Sequence, residues 1–317
     1  MRALLGSRAV RLVVAAALTT YLLWISRPAD IARAAAGVDW RWIGLACGLI
    51  VGDRALQAWR WVALLRPVSA GGGPPLGALM RVFFVSSFVG TFLPTGIGGD
   101  AVRAYGVTRH QVAGSTALAS VLMDRALGIV SMLLLGLASA LLLSAPAPAG
   151  VYVILAAGGA ASLVLAAVIF VQAAGDAATA LSRVLPGARL RGLAARLIEA
   201  VRTYRHHHGT LAGVLAASVA VQVLRVLQAW GLGRALHIAV PIEMYFVTVP
   251  VILIIMLLPI TVNGIGTSQA AFLWTFGAAD VPRPEAFALS VLFVALGIVG
   301  NLPGGLIYAF GRDRSAA

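Results

Sequence analysis

Long apolar runs alternate with short polar breaks along the 317-residue chain. Runs near the ~20 residues that a bilayer span requires predict helices at roughly 10–26, 40–65, 114–143, 151–171, 210–233 and 285–310. Two more apolar segments, at roughly 79–108 and 245–279, are interrupted in the middle. The first reads Phe92-Leu93-Pro94-Thr95-Gly96-Ile97-Gly98-Gly99-Asp100, and the second reads Leu258-Pro259-Ile260-Thr261-Val262-Asn263-Gly264-Ile265-Gly266. Each runs through Leu-Pro into a Gly-rich polar break and then a shorter return. Neither arm is clearly long enough to span, and broken backbone at membrane depth is tolerated only where protein or a watery cavity surrounds it. The pattern predicts two re-entrant hairpins, with Pro94, Gly98 and Gly99 shaping one and Pro259, Gly264 and Gly266 the other.

A unit of span, broken hairpin and span therefore occurs twice, at about 40–143 and about 210–310. In its leading span the first unit carries Asp53, Gln57 and Arg60 at i, i+4 and i+7, on one helix face. The second carries Ser218, Gln222 and Arg225 at the same spacing, extended by Gln228. Polar stripes on apolar spans face protein or water, not lipid. With an even number of crossings between them, the positive-inside rule puts the N-terminal arginines, the basic segment at about 176–209 and Arg312 and Arg314 on the cytoplasmic side. The uncharged linker from Ser144 to Gly150 falls outside. The two units then enter the membrane from opposite sides, as inverted repeats do. The expected fold is all-α: one polytopic membrane bundle over 1–317, with about six full spans, two re-entrant hairpins and both termini inside.

Composition agrees. Apolar residues make up 60% of the chain and charged residues 11%, and the mean hydropathy is +0.94. The first apolar stretch follows Arg2, Arg8 and Arg11 like a signal peptide but lacks a convincing cleavage site, and is read as a retained helix. A net charge of +13 would suggest nucleic acid in a soluble protein, but here the basic residues sit in predicted inner loops, so no nucleic-acid partner is expected. The lone Cys47 has no internal disulfide partner and is expected to pack. Arg196 to Arg205 reads as an amphipathic helix on the anionic inner leaflet, followed by a solvated His206-His207-His208 tract.

Arg54 and Arg225 fall near the middle of their spans, where a charge must find a partner or a substrate. Either they hold a phosphate through their planar forks or they pair with Asp53, Asp100 or Asp124. Arg60 is expected to snorkel to headgroups. Asp100 is a candidate N-cap for the returning helix, whose amides would otherwise welcome a lipid phosphate, with Arg103 close by. Asp124 and Arg125 are adjacent on one helix and so serve different neighbours; Asp124 either carries a coupling proton or holds an arginine. Asn263, Thr267, Ser268 and Gln269 form the uncharged polar set of the second hairpin. Asn301-Leu302-Pro303-Gly304-Gly305 is expected to interrupt the last span. No Ser-His-Asp set, metal-spaced His/Asp group or P-loop is visible, so no catalytic residues, metal or cofactor are assigned.

Three ordered motifs resemble a known family. They are Phe92-Leu93-Pro94 through Gly98-Gly99-Asp100-Ala101-Val102-Arg103-Ala104-Tyr105, then Val121-Leu122-Met123-Asp124-Arg125, then Leu258-Pro259 with Asn263-Gly264-Ile265-Gly266. The family is the lysylphosphatidylglycerol synthase transmembrane region, or flippase-like domain, family. The chain is similar to the membrane flippase domain of the multiple peptide resistance factor, which moves aminoacylated phosphatidylglycerol between leaflets. Bifunctional members append an aminoacyl-transferase domain, whereas this sequence ends at Ala317, just past its last span. What the resemblance implies is translocation rather than synthesis.

The expectation is a lipid transporter of the bacterial cytoplasmic membrane, working by alternating access on a phospho- or glycolipid with an anionic or zwitterionic headgroup. Arg54, Asp100, Arg103, Asp124, Arg125, Arg225, Asn263 and Gln269 are its candidate binding residues. Alternatives are an integral-membrane enzyme of lipid-linked sugar or phospholipid metabolism, and a non-transporting assembly factor docked through the basic loop. An oligomer is compatible with the sequence.

Overall fold

The computed structural model describes residues 37–69, 71, 73–93, 98–143, 147–184, 187–257 and 266–310. Among them the chain is all helical. The helices are α1 (Trp40–Val68), α2 (Leu76–Phe92), α3 (Gly98–Thr108), α4 (Gly114–Leu142), α5 (Ala149–Phe170), α6 (Gln172–Val184), α7 (Ala188–Arg202), α8 (His208–Ala235), α9 (Ile242–Met256), α10 (Thr267–Gly277) and α11 (Arg283–Phe310). The expected span at 10–26 lies outside the described residues, as do Arg312 and Arg314.

Among the described residues four helices, α4, α5, α8 and α11, are long and apolar enough to cross a membrane. At 29 residues α1 is as long as α4, but it carries Asp53, Arg54 and Arg60 in its interior. Asp39 starts it, accepting the Arg41 amide at 2.9 Å. In each broken segment a helix that ends in apolar residues is followed by a short one, α2 then α3 and α9 then α10.

Helix lengths match between the two halves. The series α1, α2, α3 and α4 runs 29, 17, 11 and 29 residues; α8, α9, α10 and α11 run 28, 15, 11 and 28. Packing follows the same correspondence. The leading helices α1 and α8 lie against each other, α2 packs on α11, and α9 packs on α4. Both of these last crossings use a glycine. A Cβ on Gly304 of α11 would run into the Phe84 carbonyl oxygen of α2, and one on Gly136 of α4 would meet Leu155 and come within 3.2 Å of Pro250 on α9. Each glycine stands six positions before its helix ends, at Leu142 and at Phe310. At Gly304 the two backbones approach closely, as small residues allow between membrane helices, and at Gly136 the missing side chain makes room for Leu155 and Pro250.

The largest apolar core lies where α4, α5, α8, α9, α10 and α11 meet, with Tyr245, Phe272 and Phe276 fully buried. A second core packs Trp61 of α1 against Leu79 and Phe83 of α2. The basic segment folds as α6 and α7, which pack together, and α7 also rests on α4. Tyr204, fully buried just after α7, donates its hydroxyl to the Leu64 carbonyl at 2.9 Å and so ties this segment to α1. Burial, reinforced by the Asp124 charge, pushes its phenol pKa up. In the histidine tract, His208 stacks on Phe170 and His206 accepts from Arg205 Nε at 2.8 Å.

Two expectations are corrected. Cys47 is exposed on the flank of α1 rather than packed. Asn301 to Gly305 does not interrupt the last span: α11 runs through Pro303 to Phe310. Gly304 and Gly305 serve close packing there, against Phe84 and Phe88.

Candidate functional site

Helices α1, α2, α3, α4, α8, α9 and α11 line an open cavity of about 280 Å³. Its wall carries four arginines, Arg54, Arg103, Arg125 and Arg225, and two carboxylates, Asp53 and Asp100. Neutral polar groups come from Gln57, Ser86, Ser87, Thr91, Gln228 and Asn301, and apolar ones from residues such as Leu253, Met256 and Phe293.

Asp53 joins the two halves. Its side chain is 1% exposed, and it accepts from Gln57 Nε2 at 2.6 Å and from Arg225 Nε of α8 at 3.3 Å. Arg54 Nε lies 3.8 Å away, and Arg54 Nη2 donates to the Gly297 carbonyl of α11 at 3.3 Å. The i, i+4 spacing seen in the sequence brings Gln57 onto Asp53, and α1–α8 packing brings in Arg225.

The other charged cluster sits on α3 and α4. Arg125 grips Asp100 with two hydrogen bonds, Nε at 2.6 Å and Nη2 at 3.1 Å, while its own side chain stays 43% exposed. Asp124 accepts from Arg60 at 2.7 Å and from Arg103 at 3.3 Å. Adjacent residues on one helix thus serve different neighbours. Arg103 also lies over the Phe83 ring, 4.7 Å from its centroid, and donates to Ser86 Oγ at 3.4 Å.

Glycines make this arrangement sterically feasible. A Cβ on Gly90 would fall 2.8 Å from the Gly99 Cα, and one on Gly99 would fall 2.9 Å from the Ser86 carbonyl oxygen. With neither present, α3 lies directly on α2 and presents Asp100 and Arg103 to the interior.

Arg54, Asp100, Arg103, Arg125 and Arg225 all reach the cavity, and Asp124 stands behind it, paired with Arg103. Gly99 is in the wall, and Gly98 opens α3 against the Leu93 side chain. Gln269 is not in the wall: its Oε1 accepts from the Gly266 amide and from Ser268, capping α10. Pro94, Pro259, Asn263 and Gly264 lie outside the described residues.

Two residue roles differ from expectation. Arg60 does not snorkel; it is 4% exposed and held by Asp124, because its helix face points into the bundle. Asp100 is not an N-cap, since α3 begins two residues earlier at Gly98 and leaves Asp100 in the first turn, facing Arg125. The sequence reading did not select Ser86, Ser87 and Thr91. Their only signal was a run of small hydroxyl residues in an apolar helix, and Asn301 Nδ2 donates to Thr91 Oγ1 at 2.7 Å. No group of three or more His, Cys, Asp or Glu suited to a metal occurs among the described residues.

The model of one family, the lysylphosphatidylglycerol synthase TM region, matches residues 8–304. The chain belongs to this family. No curated protein and no solved structure matches it significantly. All cavity-lining residues, from Ile50 to Asn301, fall within the stretch that defines the lysylphosphatidylglycerol synthase TM region. Membership and the apolar helices together make this a membrane protein with a lipid-related function.

Proposed function

We propose that this protein is a lipid transporter that moves a polar-headgroup phospho- or glycolipid between leaflets of the bacterial cytoplasmic membrane, leaving its covalent structure unchanged. The observation that carries this reading is the charged cavity walled by helices of both halves. A headgroup enters the cavity and is met by Arg54, Arg103, Arg125 and Arg225, with Asp53, Asp100 and Asp124 holding those arginines in place, while the acyl chains stay in the bilayer. The matched helix lengths and exchanged packing support two inverted repeats, each with a re-entrant hairpin, that rock about the cavity to open it to either side. Both termini and the basic α6–α7 segment lie on the cytoplasmic side in this scheme, with that segment on the anionic leaflet.

The test is a leaflet-translocation assay in liposomes, with the lipid recovered and weighed by mass spectrometry afterwards. Wild-type protein is expected to move lipid of unchanged mass, and the Arg54→Gln/Arg225→Gln variant to slow it by roughly tenfold or more, the loss of about one strong charge-assisted contact. An undiminished rate in a cooperatively folded double variant would sink the proposal, and a change in lipid mass would indicate an enzyme.

A further inference from the structure

We infer that Ser87, Thr91 and Asn301 form an acceptor subsite in the cavity wall, and that the headgroup it reads carries a hydroxyl or a primary ammonium beyond its phosphate. The inference rests on the transporter reading above and adds a requirement on the substrate.

The first ground is where the hydroxyl hydrogens go. Helix α2 sets Ser86, Ser87 and Thr91 in the wall. Each has one hydroxyl hydrogen and gives it to a carbonyl of its own helix: Ser86 to Phe83 at 2.9 Å, Ser87 to Phe83 at 2.8 Å and Thr91 to Ser87 at 3.0 Å. Their oxygens are left with lone pairs only. Two of these oxygens are engaged, Ser86 Oγ by Arg103 Nε at 3.4 Å and Thr91 Oγ1 by Asn301 Nδ2 at 2.7 Å. No donor among the described residues reaches Ser87 Oγ.

The second ground is the amide of Asn301. Because the Thr91 hydrogen is committed to Ser87, Thr91 Oγ1 accepts, which turns Asn301 Nδ2 toward it and fixes Oδ1 as the other end of the amide. Oδ1 is buried and has no hydrogen-bond partner, although the Asn301 side chain lines the cavity. A buried acceptor left unmet is unfavourable, and in a cavity wall the missing donor is the ligand's. Gly304, three residues on, lets α11 lie against Phe84 of α2 and so holds Asn301 over Thr91.

The third ground is placement relative to the arginines. Asn301 stands one helical turn, about 6 Å, beyond Gly297, whose carbonyl accepts from Arg54 Nη2. Arg54 Nε and Gln228 Nε2 are buried donors without a partner in the same wall, and a phosphate oxygen is the acceptor that arginine's fork fits. Donors for a phosphate therefore stand about a helical turn from acceptors for a hydroxyl or an ammonium, a separation that a glycerol or ethanolamine headgroup bridges. Choline carries methyl groups in place of N–H and leaves the acceptors unmet.

Calorimetric titration of the full chain in non-ionic detergent tests this with two pairs of short-chain lipids matched in charge. Phosphatidylglycerol is set against phosphatidylethanol, both anionic, and phosphatidylethanolamine against phosphatidylcholine, both zwitterionic. The member bearing O–H or N–H is expected to bind at least about fivefold more tightly in one pair or in both. A preference in the first pair alone assigns the subsite to a hydroxyl, and in the second alone to an ammonium; both support the inference. Asn301→Leu, close in size to the original, and Ser87→Ala are each expected to bring the tighter-binding member down toward the weaker one. No preference in either pair, or one retained by every variant that folds, overturns the inference and leaves the transporter reading standing. Failure of all four lipids to bind overturns the transporter reading and the inference with it.

Discussion

Arg225 on α8 donates to Asp53 on α1 across 3.3 Å, joining the polar stripes of the two leading helices at one buried carboxylate. Asp53 is fully buried and also takes a hydrogen bond from Gln57 and a longer contact from Arg54. Through it a charge on one half is paired with a charge on the other.

Asp53→Asn should therefore be strongly destabilising, since breaking a buried ion pair costs about 3–5 kcal/mol. Adding Arg225→Gln removes an unpaired charge and should restore part of the loss. Thermal unfolding of both variants and of Arg225→Gln alone forms a double-mutant cycle. A coupling near zero would show that the 3.3 Å contact contributes nothing.

Asp124 and Arg125 are neighbours in sequence but should respond very differently. Asp124→Asn leaves buried Arg60 and Arg103 without their counter-ion and should sharply reduce the yield of folded protein. Arg125→Gln removes a side chain that is 43% exposed and should be milder for folding. Size-exclusion recovery from membranes compares them; equal losses would contradict the arrangement.

Gly304→Ala should destabilise by about 1–3 kcal/mol, because its Cβ would meet the Phe84 backbone, and Gly136→Ala by less, because the Leu155 side chain it meets can move aside. Gly44→Ala provides the contrast: no atom lies within 4 Å of its Cβ, and alanine favours helix by up to about 1 kcal/mol. Unfolding midpoints should fall for the first two and hold or rise for the third. A tolerated Gly304→Ala would mean that α2 and α11 do not pack this closely.

Tyr204→Phe should cost about 0.5–1.5 kcal/mol by removing the hydroxyl's hydrogen bond to the Leu64 carbonyl. Limited proteolysis should then cut the 188–202 helix faster than in wild-type protein, while the bundle stays intact. Unchanged cleavage would show that this hydrogen bond does not hold the basic segment down.

Orientation can be read with cysteine labelling in a Cys47→Ser background. An impermeant maleimide applied to intact cells should label Ala149→Cys from outside and label Arg191→Cys only after permeabilisation. The reverse pattern would invert the topology and the reading of the repeats built on it.

The sequence made the helices legible because bilayer spans are written as uninterrupted apolar length. The expected segments at 40–65, 114–143, 151–171, 210–233 and 285–310 correspond to α1, α4, α5, α8 and α11 within a few residues. The matching stripes of Asp53, Gln57 and Arg60 and of Ser218, Gln222 and Arg225 were also visible, since helical spacing alone places them on a face. Asp100 misled because its position beside two glycines resembles a cap, yet which residue starts a helix depends on how tightly α3 packs onto α2. Arg60 misled because a long side chain near a helix end can reach water or turn inward, and only a partner such as Asp124 on α4 decides between them.

By itself, then, the sequence determined the class of protein, the helices and the polar faces that could not meet lipid, all consequences of local composition and period. Only the tertiary structure decided which charges pair: Asp53 with Arg225, Asp100 with Arg125, Asp124 with Arg60 and Arg103. Those partners are brought together by helix crossings, and the crossings depend on where two backbones can approach, as at Gly90 with Gly99 and at Gly304 with Phe84. Approach distances are set by packing in three dimensions and carry no signature in chain order.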